Sequence, residues 1–147
     1  MEKEKRMTRS KGLVSVCIPT YNGEQYLKQT LDSVVNQTYK NIEIIITDDL
    51  SADDTEKIIK SYHDERIKYF VNTKRSGLAG NWNESLKRSS GEFIKILCQD
   101  DLLMPDAIEK QVNALNSSDA ACVIGNTTVI NSKGETIFEE NILRKAE

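Results

Sequence analysis

The stretch Cys17–Asp49, CIPTYNGEQYLKQTLDSVVNQTYKNIEIIITDD, leaves few folds open. It completes an apolar strand, turns, forms an amphipathic helix and closes a second apolar strand on two carboxylates. The first strand is predicted over Leu13–Ile18, rich in β-branched residues and continuous rather than alternating, as in a strand covered on both faces. Pro19 has no N–H for a ladder and is expected to end it, and Thr20–Gly23 reads as a tight turn. From Glu24 the period is helical, with Leu27, Leu31, Val34 and Val35 on one face, until Asn36–Tyr39. The second strand, Ile42–Thr47, ends on Asp48 and Asp49.

The remaining chain repeats this alternation. Ser51 and Asp54 have capping-box spacing for a short helix through Tyr62. Ile67–Val71 is a third strand, and Asn72–Gly77 a polar loop whose Lys74 and Arg75 read as a solvated face. Leu78, Trp82 and Leu86 recur every four residues, predicting a helix over Leu78–Arg88 with Trp82 in its packed stripe. Glu92–Cys98 is a fourth strand, followed by Asp100 and Asp101. Pro105 opens a helix with Ile108, Val112 and Leu115 on one face. Ala120–Ile124 is a predicted fifth strand, and Asn131–Gly134 the turn of a hairpin between Thr127–Ile130 and Glu135–Phe138. Strands alternating with helices predict an α/β layered domain with a mostly parallel sheet.

Composition excludes several classes. At 147 residues the chain can bury a real core, and its net charge of -3 gives no basic footprint for nucleic acid. No apolar run approaches the roughly 20 residues that span a bilayer. The charged start MEKEKRMTRSKG lacks a signal-peptide core and reads as a flexible tail over residues 1–12, so a cytoplasmic location is expected. Cys17, Cys98 and Cys122 each lie in an apolar run without metal spacing, and are expected to be buried, reduced thiols. His63 is expected at the surface.

Parallel sheets bind ligands beyond the carboxyl ends of their strands. Pro19–Asn22, Asp48–Asp49 and Asp100–Asp101 all fall there. Either acid pair alone also reads as turn formers; both pairs on one rim beside Tyr21 point to a metal-bound diphosphate. A Rossmann fingerprint is excluded by PTYNGE after the first strand, and no P-loop GK[ST] is present. A site without glycine cradles must offset phosphate charge with a cation, and carboxylate oxygens select Mg²⁺ or Mn²⁺.

These residues carry a resemblance. VSVCIPTYNGEQYLKQTLDSVVNQTYKNIEIIITDDLSADDT resembles the opening of family 2 inverting glycosyltransferases of the GT-A fold, and SGLAGNWNESLKRSSGEFIKILCQDDLLMPD their continuation through an acidic metal motif. The resemblance spans Leu13 to Ile124. It implies a GT-A-like, Rossmann-type layered domain over residues 13–147, truncated on its C-terminal, acceptor-binding side. It also implies transfer of a sugar from a nucleotide diphosphate donor, UDP-linked above all, to an acceptor hydroxyl with inversion. Acceptors would be saccharides or lipid-linked glycans of cell-surface polysaccharide, reached from the inner membrane face. By the same resemblance Tyr21 stacks on the base, Pro19, Thr20 and Asn22 shape its pocket, Asp49 accepts a base N–H with Asp48 in support, Asp100 lies near the ribose and metal, and Asp101 ligates Mn²⁺ or Mg²⁺.

Departures are visible too. The acidic run reads CQDD, with Cys98 in place of a common first Asp; Trp82 stands where Arg is common; Leu50 stands where a small residue is common. No segment matches the family's general base, which an inverting transferase needs. Two other classes fit less of the sequence. A non-catalytic interaction module would pair with a second copy through an exposed sheet edge. A phosphoacceptor signalling domain would carry its acid pair after the first strand, whereas here the pairs follow the second and fourth.

Overall fold

The computed structural model describes residues 9–140, so most of the expected tail lies outside the described residues. They fall into two compact units that meet in sequence at Ile108 and Glu109. The first holds β1 (Ser10–Thr20), α1 (Leu27–Val35), β2 (Ile42–Asp48), α2 (Thr55–Lys60), β3 (Ile67–Val71), α3 (Gly77–Arg88) and β4 (Gly91–Ile96). Its four strands are parallel, in the order β3-β2-β1-β4. The expected α/β fold with a parallel central sheet is thus present.

Burial follows position in the sheet. The central β2 is buried along its whole length, and Val16, Cys17 and Ile18 of β1 are fully buried. Continuous apolar sequence is what such doubly covered strands require. On α1, Leu27, Leu31 and Val34 are fully buried, as their period predicts.

β1 runs through Pro19 to Thr20 instead of ending at Ile18. Val14 N–H donates to Asn41 O and Asp49 N–H to Thr20 O, so even-numbered residues of β1 address β2 and odd ones address β4. Leu97 N–H donates to Cys17 O just past the end of β4, which leaves Pro19 facing a side without a ladder. The missing donor costs nothing there.

The second helix is shorter than the capping box predicts. Ser51 does not cap it; Ser51 N–H and Oγ both donate to Asp48 Oδ1, and Asp53 accepts from Thr55 N–H at the helix start. On α3 the buried residues are Asn81 and Ser85, while Leu78 is 75% exposed. The face that packs on β1 and β2 is therefore small and polar, not the predicted apolar stripe. This allows close approach, with Cys17 Sγ 3.7 Å from Ser85 O.

The second unit carries most of α4 (Ala107–Asn116) and an antiparallel hairpin of β5 (Thr127–Ile130) and β6 (Thr136–Glu140), turning at Gly134 with φ +81°. The hairpin is as predicted. Residues 120–124 form no strand, and Ile124 is 64% exposed. Cys122 is exposed and Cys98 half-buried; only Cys17 is the buried thiol expected of all three, its pKa pushed up to about 11 by burial. His63 is exposed, as expected.

One buried carboxylate ties the amino-terminal ends of the strands together. Glu43 on β2 accepts from Ser15 Oγ, Ser90 N–H and Oγ, and Lys68 Nζ. Ser15 Oγ in turn accepts Gly91 N–H, and a Cβ at Gly91 would sit 2.6 Å from Leu13 O, so only glycine lets β4 approach this closely. Burial pushes the Glu43 carboxyl up, but the hydrogen bonds from Lys68, Ser15 and Ser90 outweigh it and hold the pKa at about 2. A depressed folded pKa adds stability above the unfolded value and loses it as pH falls towards the folded one. Glu43→Gln is expected to lose roughly 3 kcal/mol at pH 7. In urea unfolding its deficit against the parent should shrink between about pH 4.5 and about pH 2.

Candidate functional site

Sheet order turns back at β1, which has β2 on one side and β4 on the other. A cleft of about 320 Å³ opens at the carboxyl ends of these strands. Pro19 and Thr20 line it from the end of β1 and Tyr21 from just beyond, Asp49 from just past β2, and Cys98, Gln99 and Asp100 from the segment after β4. Gly77, Leu78, Asn81 and Trp82 close it from the start of α3, and Arg75 from the loop before. This is where a parallel sheet offers room and oriented backbone to a ligand.

The two acid pairs have different environments. Asp49 is 2% exposed. Its Oδ1 accepts from Asn72 Nδ2, Ser76 N–H and Ser76 Oγ at 2.8–2.9 Å, and its Oδ2 accepts Gly77 N–H at 2.9 Å. It thus receives the amides that open α3, where a negative charge is favoured. Burial raises the Asp49 carboxyl, but the donors from Asn72, Ser76 and Gly77 override it and bring the pKa to about 2. Asp48 is also buried and accepts from Ser51 and from Tyr69 Oη at 2.7 Å. It holds the loop and does not line the cleft.

Asn22 likewise works inside the loops. Its N–H donates to Ser51 Oγ, and its Oδ1 accepts Ala52 N–H. Gly23 N–H donates to Thr55 Oγ1, while Glu24 and Asp53–Asp54 exchange bonds in both directions. The turn after β1 and the loop after β2 are zipped together, with Asn22 at φ +48° and Leu50 at φ +65°. A leucine in the left-handed region costs roughly 1 kcal/mol that a glycine would not. The departure noted at Leu50 is therefore accommodated by strain.

Asp100 and Asp101 are both exposed, and only Asp100 lines the cleft. Among the described residues no three His, Cys, Asp or Glu side chains gather as a preformed metal cage. The donor set nonetheless suits a hard cation held by one or two carboxylates and completed by a ligand's phosphates. Burial, with Asp101 and Asp100 beside it, pushes the Cys98 thiol up and keeps it a neutral, soft group. Gln99 is committed elsewhere: Tyr21 N–H donates to its Oε1 and its Nε2 donates to Tyr21 O. That pair fixes the Tyr21 backbone against the acidic segment.

Four residues beyond the expected set shape the site. Asn81, 4% exposed, donates from Nδ2 to Thr20 O and Thr47 O and accepts Asn72 Nδ2 on Oδ1. Asn72 thereby bridges Asn81 and Asp49. Trp82 lines the cleft rather than the core, and its buried Nε1 has no hydrogen-bond partner among the described residues. Arg75, read from sequence as solvated, lies over the Tyr21 ring at 3.6 Å and 3.4 Å from Asp49 Oδ2. A polar residue directly after an apolar strand end was the available signal for Asn72.

An open parallel α/β sheet with its cleft at the reversal point defines a ligand-binding domain of the doubly wound class. Residues 15–144 match the family model of Glycosyl transferase family 2, and the chain belongs to that family. It is 36% identical over 120 residues to the Escherichia coli UDP-Glc:alpha-D-GlcNAc-diphosphoundecaprenol beta-1,3-glucosyltransferase WfgD, covering 82% of this chain and 47% of that protein. Staphylococcus aureus TarS 1–349 in complex with UDP superposes with a TM-score of 0.67 at 29% identity, over 71% of this chain and 32% of that one. The mannosyltransferase PcManGT of Pyrobaculum calidifontis, in complex with GDP-Man and Mn²⁺, does so with a TM-score of 0.59 at 28% identity, over 69% and 31%. The chain spans about half or less of the length of the curated relatives it matches. These likenesses fit the GT-A-like fold expected from sequence.

Asp49 sets the conformation of the loop before α3. Asp49→Ala is expected to cost roughly 2–3 kcal/mol by leaving the Ser76 and Gly77 amides at the start of α3 without their acceptor. Amide hydrogen exchange at Ser76 and Gly77 should accelerate well beyond that in β1, which checks the local origin of the loss.

Proposed function

We propose that this chain is the donor-binding part of a glycosyltransferase that takes its sugar from a nucleotide diphosphate, with UDP-sugars as the donor class, and transfers it with inversion. The observation that carries the reading is the cleft at the strand ends, where Tyr21, Asp49 and Asp100 converge from just past β1, just past β2 and the segment after β4. Membership of family 2, and the UDP in the complex of TarS, support it. The acceptor class is a lipid-diphosphate-linked saccharide at the cytoplasmic membrane face, by analogy with the substrate in WfgD's name. Among the described residues no helix is long and apolar enough to cross a membrane.

In this reading the base stacks on Tyr21 and presents an N–H to Asp49, whose charge persists to low pH. Pro19 and Thr20 form the wall beside it; Asn22 and Asp48 hold the loops that frame it. Asp100 lies towards the ribose, and Asp100 with Asp101 would hold Mn²⁺ or Mg²⁺. When bound, that cation supplies charge stabilisation for the departing nucleotide diphosphate. The complex of PcManGT contains Mn²⁺, which favours manganese as the first ion to test. No residue of this chain is assigned as general base.

Calorimetric titration with UDP, GDP and dTDP, each with and without MnCl₂, tests the reading. UDP is expected to bind most tightly and to lose affinity when the metal is removed. Tyr21→Ala should weaken UDP about tenfold through lost stacking, and Asp101→Ala should abolish the manganese dependence while leaving uridine binding intact. Absence of binding by all three nucleotides would overturn the assignment.

A further inference from the structure

The two groups assigned to the nucleobase are already occupied by another side chain. The Arg75 guanidinium lies over the Tyr21 ring, 3.6 Å from its centroid, and its Nε is 3.4 Å from Asp49 Oδ2. A base stacked on that ring face and bonded to Asp49 would take the same space. The contact to Asp49 is the loosest of those the carboxylate makes, since its four other donors stand at 2.8–2.9 Å. Arg75 is half exposed, on the loop before α3, at the mouth of the cleft. Its removal from Asp49 leaves that carboxylate with its structural donors intact.

We propose that Arg75 is a displaceable occupant of the base subsite, which gives up Tyr21 and Asp49 to an incoming nucleotide and turns to the diphosphate. The proposal rests on the nucleotide-binding reading above. A planar guanidinium suits both positions. It stacks on an aromatic face in the empty site. It forks to phosphate oxygens in the filled one, with charge-assisted hydrogen bonds stronger than the contact it leaves. The exchange sets a chemical preference. A nucleoside must displace Arg75 and gives its charge no partner, whereas a nucleoside diphosphate supplies one. Discrimination between uridine and UDP is therefore built into one side chain outside the acidic motif.

The single tryptophan of the chain, Trp82, lines the same cleft and reports binding by its fluorescence. Uridine and UDP are titrated against the parent, Arg75→Ala and Arg75→Lys, all in the same MnCl₂ buffer. Arg75→Ala is expected to bind uridine about fivefold more tightly, as the stacked cation is lost, and UDP about tenfold more weakly, as the phosphate partner is lost. Arg75→Lys should recover part of the UDP affinity. Equal losses for both ligands would make Arg75 a base contact and overturn the exchange. No change for either, or a gain for both, would overturn it as well. If the parent binds UDP normally in these cases, the donor-site reading stands without the exchange. If the parent binds no UDP, both fall.

Discussion

The carboxyl edge of the sheet depends on one buried polar chain, Thr20 and Thr47 to Asn81, Asn81 to Asn72, and Asn72 to Asp49. Asn81 donates to Thr20 O, which also accepts Asp49 N–H, and to Thr47 O, near the ends of two adjacent strands. Supplying both from one amide on α3 fixes how far that helix lies from β1 and β2. Asn72 then passes the constraint on to Asp49, and Asp49 holds the amides that start α3. Helix position, loop shape and carboxylate orientation are thus one linked arrangement. A cleft bounded by it is preorganised without any ligand.

The sheet was legible in the sequence because its central strands are covered on both faces and read as unbroken β-branched runs. β2 begins where Ile42 begins such a run. The same rule failed for residues 120–124, where an equally apolar run has no ladder partner among the described residues. A strand is a property of pairs, and one run cannot announce its partner. Pro19 failed in the opposite direction. Its missing donor matters only on a side where a neighbour continues, and β4 has stopped.

The site was half legible. Acids at strand ends located the rim, and Tyr21 located the wall. Which acids remain available could not be read, since that depends on donors distant in the chain. Asp48 meets Tyr69, and Asp49 meets Asn72, Ser76 and Gly77. The apolar period of α3 misled for a related reason. A stripe of leucines normally marks the packed face, but here Asn81 and Ser85 lie inward and leave Leu78 and Trp82 to the cleft. Close approach to two strand ends needs small or hydrogen-bonding residues, and this outweighed apolar burial.

Electrostatics completes the division between the acid pairs. Asp48 and Asp49 are surrounded by donors that the fold supplies, so their charges are already satisfied and serve to build the rim. Asp100 and Asp101 are exposed, and Asp100, a few residues past β4, lines the cleft. Cys98 next to them stays a thiol because burial and these same carboxylates disfavour a thiolate, so it adds no further negative charge. The two pairs therefore differ, one held in hydrogen bonds that the fold supplies and one exposed, although both read as Asp-Asp after an apolar strand.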